Sequence, residues 1–232
     1  MFPAFPLSEY VTSFWFHEGA PEHARERVFP SANVQIVFNL HEDSFHFSKP
    51  GGAERFEHSQ GALVAGPHSN FSIVDTTGMK SIMGVHFKPG GAWPFFDSPT
   101  NVLHDTHVPL NALWTGQTSE LRERLTVEPD LESRFRLLEN TLLEQLRRGV
   151  RRHPAVAFAL QEFQSDQAAC SVSEVVERVG LNSRQFIALF SKEVGLTPKL
   201  FCRLHRFQNS LRRLSSTKSV DWADLAVECR FF

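Results

Sequence analysis

The chain has 232 residues, of which 41% are hydrophobic and 22% charged, and its net charge is −2. This composition excludes a disordered segment and fits one large or two small globular domains. The sequence has no apolar stretch of about eighteen residues that could span a membrane, and Pro3 and Pro6 argue against a signal peptide. The three cysteines are widely spaced, which predicts reduced thiols. We therefore expect a soluble, cytoplasmic protein.

Short alternating runs, typical of β-strands, occupy the chain up to residue 90 and are separated by Gly- and Pro-containing turns. They lie at 10–16, 33–40, 45–47, 62–65, 71–74 and 80–87. Many short strands at near-regular spacing predict an antiparallel β barrel or sandwich. We assign residues 1–115 to this β-rich domain.

After residue 110 the apolar pattern takes a helical period, which predicts helices at about 118–126, 131–148 and 154–164. We assign residues 116–150 to a helical connector and 151–232 to an all-α domain, so the fold class is α+β. One apolar stripe in the connector, Phe135, Leu138, Leu142 and Leu146, favours an internal core over a dimer seam.

The charge distribution changes near the same boundary. Residues 1–149 contain 12 basic and 18 acidic side chains, a net charge of −6, whereas residues 150–232 contain 12 and 8, a net charge of +4. Between residues 184 and 218, eight basic side chains accompany a single acid, Glu193. This segment indicates a polyanionic partner, although a solvated helix face would have the same charges.

A more specific pattern lies at residues 171–195. Ser171-Val-Ser-Glu174 is a capping box, which predicts a helix start, and Gly180 suits the left-handed conformation that ends a helix. A second helix follows from about Ser183. The apolar positions around Gly180 have the spacing of a helix-turn-helix: Val175, Val176, Val179, Leu181, Phe186 and Leu189. An αα-hairpin in a helical bundle would have the same spacing.

A weak internal repeat favours the helix-turn-helix. Residues 225–231 align with residues 175–181 at an offset of 50. Thr197 and Pro198 open an intervening helix as N-cap and first-turn residues. Two helix-turn-helix units bridged by one long helix would have this arrangement.

These segments resemble the AraC-type transcription regulators over about residues 155–232. The resemblance rests on Leu181-Asn-Ser-Arg-Gln-Phe-Ile-Ala-Leu-Phe190, 194–198, Phe201, 206–208 and 221–226. The N-terminal half is similar to the cupin-like sensor domain of one branch of the family through 29–30, 37–39, 66–68, 84–91 and 108–110. The resemblance implies a DNA-binding regulator with a small-molecule sensor and no enzymatic activity or cofactor. The partners expected are double-stranded DNA, an unknown effector and a possible homodimer, with no membrane.

The second helix of the unit supplies the candidate DNA-reading residues. Arg184 could contact guanine, Gln185 adenine, and Ile187 and Ala188 thymine methyl groups, while Lys192 is better placed for phosphate. The complete set of candidate DNA-binding residues is Arg184, Gln185, Ile187, Ala188, Ser191, Lys192, Arg203 and Arg206. A second unit would need apolar residues at positions 235 and 239, beyond Phe232, so we expect weak and salt-dependent DNA binding.

Four residues of the β-rich half are candidates for lining an effector cavity, since a small barrel can enclose one ligand: Trp15, Phe38, His86 and Trp93. They could equally be filled core. The eleven histidines lack the ligand spacing of a cupin metal site, and we interpret them as scattered surface residues with no metal. The alternatives to a regulator are a metal-dependent barrel enzyme and a regulator that no longer binds DNA specifically.

Overall fold

The computed structural model describes residues 1–48, 56–114, 118–146, 151–165 and 171–216. Within these ranges an antiparallel β region is followed by six α-helices, which confirms the α+β class. The strands are β1 Val11–Glu18, β2 Arg25–Val28, β3 Gln35–Asn39, β4 Ser44–Ser48, β5 Phe56–Gln60, β6 Ala62–Ala65, β7 Ser72–Asp75, β8 Ser81–Phe87 and β9 His107–Pro109. The helices are α1 Thr118–Val127, α2 Leu131–Leu146, α3 Pro154–Gln164, α4 Val172–Val179, α5 Ser183–Val194 and α6 Pro198–Ser216.

The strands form two open antiparallel sheets. One has the order β1-β8-β3-β6-β9 and the other the order β2-β7-β4-β5. Val37 and Leu63 from the first sheet pack against Phe45 and Phe47 from the second. Over the described ranges the two sheets do not join into a closed barrel, so the sandwich alternative is the correct one.

The opposite face of the five-stranded sheet forms the main core. Because side chains alternate along a strand, Phe14, Phe38 and Met83 point to this face, where α1 and α2 cover them. The α2 stripe of Phe135, Leu138 and Leu142 is buried in the same core, and the Phe135 ring lies 6.3 Å from that of Phe14. This packing confirms the interpretation of the stripe as internal core.

Helices α3 to α6 bury a second apolar cluster. It includes Val156, Val175, Phe186, Phe190 and Phe201, each fully buried. Ala32, from the β-rich half, also belongs to this cluster. The two halves of the chain are therefore in direct contact. The repeat segment at residues 225–231 lies outside the described residues.

Candidate nucleic-acid interface

Helices α4 and α5 form a helix-turn-helix with a defined start, turn and second start. The Ser171 hydroxyl accepts from the Glu174 N–H, and the Glu174 carboxylate accepts from the Ser171 N–H, which confirms the predicted capping box. Gly180 has φ +69°, a conformation that favours glycine. Asn182 and Gln185 form a second capping box at the start of α5.

The outward face of α5 follows from the residues it buries. Phe186, Phe190 and Val194 point into the helical core. Successive helical residues turn by about 100°, so the opposite face carries Arg184, Gln185, Ala188, Ser191, Lys192 and, just past the helix end, Gly195. Near the N-terminal end of α5, this face is exposed to solvent and accessible to another molecule.

The candidate DNA-binding residues do not have equal environments. The side chains of Arg184, Gln185, Ile187, Ala188, Lys192 and Arg203 are exposed, whereas Ser191 and Arg206 are half-buried. The side-chain amide oxygen of Gln185, Oε1, also accepts a hydrogen bond from the Asn182 N–H at 3.4 Å, a capping role that was not predicted from the sequence. The Ser191 hydroxyl is buried, and no hydrogen-bond partner for it occurs in the described part of the chain.

The β-rich half contacts the C-terminal end of this outward face. Helix α5 packs against the 3₁₀ helix Thr100–Leu103. A Cβ atom built on Gly195 would lie 2.8 Å from Cγ of Pro67 and 3.1 Å from Cγ2 of Thr100, so only a glycine fits here without a shift. The Lys192 ammonium lies 5.1 Å from the centre of the Trp93 ring, a cation–π distance.

Two further contacts join α6 to the β-rich half. The Phe207 ring lies 6.3 Å from that of Phe29 in an edge-on arrangement. The Gln208 side-chain amide donates to the backbone carbonyl of Pro30. The contact between the two halves of the chain thus combines a cation–π pair on α5 with an aromatic pair and a hydrogen bond on α6.

A buried carboxylate holds the start of α3 against α5. Glu193 is 3% exposed, and its two oxygens accept from the His153 N–H at 3.0 and 3.2 Å. Burial raises the pKa of Glu193 above its ordinary value, although the His153 N–H and the nearby Arg152 and Lys192 oppose the shift. Arg152 also donates to the Pro89 carbonyl at 3.4 Å.

We expect Glu193→Gln to change how stability depends on pH. A carboxyl with a raised pKa in the folded state favours folding in acid, and this advantage disappears as pH rises from 4.5, the ordinary value, through the raised pKa. The variant should therefore gain stability relative to the parent as pH rises. Urea unfolding at several pH values between about 4 and 8 measures this difference. Glu177→Gln, at an exposed site on α4, is the control, and a pH-independent difference for Glu193→Gln would contradict the prediction.

The structure does not bring the four candidate effector residues into one cavity. The rings of Trp15 and His86 lie 5.6 Å apart on the face between the sheets, where burial lowers the pKa of His86. Phe38 is fully buried on the opposite face of the same sheet, and Trp93 stands against α5. Spacing along the sequence does not distinguish these positions, because the face and register of each residue depend on strand pairing.

Three histidines that the sequence predicts to be scattered on the surface instead form one cluster, in which His68 and His104 contact Asp105 and His107 contacts His68. The Asp105 carboxylate lies 3.7 Å from Nδ1 of His68 and 3.3 Å from Nε2 of His104. It accepts from the Ser69 N–H and hydroxyl at 2.7 and 2.6 Å. Burial alone would raise the pKa of Asp105, but these hydrogen bonds and the two histidines lower it.

His107 completes the cluster, with its ring 4.7 Å from that of His68. Burial, together with His68, lowers the pKa of His107 to about 3. In the described ranges no group of three His, Cys, Asp or Glu side chains is arranged to hold a metal ion. Across the same ranges, no helix has the length and apolar character needed to cross a membrane.

Comparison with known proteins gives partial matches. A family model described as a domain of unknown function (DUF6597) matches residues 1–109. Comparison with curated proteins gave no match. Similar solved structures include that of ToxT from Vibrio cholerae, at 6% identity and a TM-score of 0.46, covering 94% of this chain and 89% of that one.

A second ToxT structure, bound to (E)-4-(8-methylnaphthalen-1-yl)but-3-enoic acid, has 9% identity and a TM-score of 0.40, covering 94% of this chain and 90% of that one.

Proposed function

We propose that the chain is a sequence-specific DNA-binding transcription regulator in which α5 enters the major groove. The observation that carries the proposal is the α4–Gly180–α5 unit, whose exposed α5 residues include Arg184, Gln185 and Ala188. Both helix starts are capped, so the backbone that presents these side chains is well defined. An arginine at this position can bind guanine through two hydrogen bonds, and a small apolar side chain can contact a thymine methyl group.

The basic residues around this helix support the same function. Lys192, Arg203 and Arg206 are candidates for phosphate contacts, which position a protein on the duplex without reading its sequence. Each phosphate contact that is lost should reduce the dependence of log affinity on log salt by about 0.9. This behaviour distinguishes phosphate contacts from base contacts at Arg184.

We expect Arg184→Ala to weaken binding to the preferred DNA site by about 1–3 kcal/mol and to relax discrimination against other sequences. The site is first selected by the protein from randomised duplexes, and binding is then measured by fluorescence anisotropy. Arg136→Ala, which removes an exposed arginine on α2, is the charge-matched control.

Equal discrimination by Arg184→Ala and the parent would overturn the assignment of Arg184. A parent chain that selects no sequence and shows no salt-dependent DNA binding would overturn the regulator function itself. That result would favour a chain that acts through a ligand or another protein instead.

For the β-rich half we propose a small-molecule sensor within residues 1–115, joined through a connector at 116–150 to a DNA-binding domain at 151–232. Trp15 and His86 are the two candidate effector residues that remain neighbours. The Trp15 indole N–H is buried, and it has no hydrogen-bond partner among the described residues. A cytoplasmic location and assembly as a homodimer belong to the same proposal.

A further inference from the structure

Two histidines face each other on the outer surface of the four-stranded sheet. His46 of β4 lies directly opposite His58 of β5, and both side chains are exposed. Their rings lie 5.4 Å apart, centre to centre, at an angle of 65°. The two residues are twelve positions apart in the sequence, so it is the antiparallel pairing of the strands that brings their imidazoles together.

This pair is separate from the cluster around Asp105. Side chains alternate between the two faces of a strand, and Phe47 points inward, where its ring contacts that of His107. His46, the preceding residue, therefore projects from the opposite face toward solvent, away from His107.

The separation of the two rings suits a shared metal ion. Zinc binds imidazole nitrogen at about 2.0–2.1 Å in a tetrahedral arrangement, which places the centres of two ligating rings about 5 Å apart. The observed 5.4 Å is close to this value, so small rotations of the side chains are enough to aim one nitrogen of each ring at a common point. Imidazole also suits Ni²⁺ and Cu²⁺.

Asp75 supports His46 from the other side. It lies opposite His46 on β7, so Asp75, His46 and His58 form a row across three strands. The Asp75 carboxylate accepts from the Thr77 N–H and hydroxyl at 3.0 and 2.6 Å, which fixes its position. These hydrogen bonds and, to a lesser extent, the nearby His46 lower the pKa of Asp75. A histidine that binds metal usually donates its second ring N–H to a carboxylate, and Asp75 is placed to accept it.

We propose that His46 and His58 form a surface site for a divalent transition-metal ion, with Zn²⁺, Ni²⁺ or Cu²⁺ held between the two rings and water completing the coordination. Asp75 is a positioning residue that orients His46. It does not bind the ion, since it lies one strand spacing of about 4.8 Å from His46, on the side away from His58. The site lies on the β-rich half and does not depend on DNA binding by α5.

A bound ion would link the edge strand β5 to its neighbour β4. A ligand that binds the folded chain in preference to the unfolded chain stabilises the fold by mass action. We therefore expect Ni²⁺ to raise the midpoint of thermal unfolding of the parent, and to raise it less in a chain that lacks either histidine.

The test is a calorimetric titration of the full chain with Ni²⁺ at about pH 7.5, where a free imidazole is mostly neutral and able to bind metal. We expect His46→Ala and His58→Ala each to weaken binding more than tenfold, because each variant keeps only one ligand of the pair. His17→Ala, which removes an exposed histidine from β1, is the matched control and should leave the affinity within about twofold. Thermal unfolding without metal establishes that each variant is folded.

Electron paramagnetic resonance with one equivalent of Cu²⁺ counts the nitrogen ligands. The parent should show coupling to two imidazole nitrogens, and His58→Ala coupling to one. Asp75→Asn should keep the two-nitrogen spectrum but weaken Ni²⁺ binding by about tenfold, a combination that a general loss of structure would not produce.

Equal Ni²⁺ affinities for the parent, His46→Ala and His58→Ala would overturn the site, as would an equal loss of affinity in His17→Ala. Unchanged Ni²⁺ affinity in Asp75→Asn would overturn the positioning role of Asp75.

Discussion

Replacing Phe190 by alanine should lower the free energy of unfolding by about 3–5 kcal/mol, since it removes a large, fully buried side chain and leaves a cavity. The Phe190 ring lies 5.8 Å from those of Phe163 and Phe186 and 5.7 Å from that of Phe201. It therefore joins α3, α5 and α6 in one aromatic cluster. Urea unfolding followed by circular dichroism measures the loss.

Ile187→Ala is the matched control because it truncates a residue of the same helix that is 40% exposed. We expect it to cost clearly less than Phe190→Ala. Similar losses for the two variants would show that the Phe190 cluster does not hold the helical core together.

The second large effect is that His107 should lower the free energy of unfolding of the chain in acid. Its pKa is 6.5 in an ordinary setting and about 3 in the folded chain. Between these values the unfolded chain binds a proton that the folded chain does not, so stability falls as pH decreases through this window. The loss from this one group would reach roughly 4–5 kcal/mol near pH 3.

His107→Phe should remove this contribution while keeping a ring between Phe47, 4.0 Å away, and His68. The free energy of unfolding of the parent should therefore decrease relative to that of the variant as pH falls from about 7 to about 4. His46→Phe, at an exposed position on the outer side of the four-stranded sheet, is the control. Parallel pH profiles for His107→Phe and the parent would contradict a neutral imidazole at position 107 in the folded chain.

Periodicity and capping residues predicted the helices well, because their causes are local. The predicted helix at 118–126 differs from α1 by one residue, and the predicted helix at 154–164 coincides with α3. Ser171, Glu174 and Gly180 act at the positions that their chemistry indicates. Strands with little apolar alternation were missed: all four residues of β2 are exposed, and β9 has only three residues.

The distribution of the site residues could not be predicted from periodicity. The helical pattern indicates which face of α5 is outward, but not that Trp93 and Thr100 cover part of it. The cluster of His68, His104 and His107 likewise depends on the approach of a turn after β6 to residues 104–107, which lead into β9 and include its first residue. Contacts of this kind are set by tertiary packing, which no spacing within a single element records.

The exposed strand β2 has a consequence for assembly. It lies at the edge of the four-stranded sheet, where unpaired backbone groups could accept a strand from another chain. Its sequence is Arg25-Glu26-Arg27-Val28, so three of its four side chains are charged. If two copies of β2 paired antiparallel about a two-fold axis, Glu26 would lie opposite Glu26 or Arg27 opposite Arg27. The repulsion between these like charges disfavours sheet-to-sheet polymerisation along this edge.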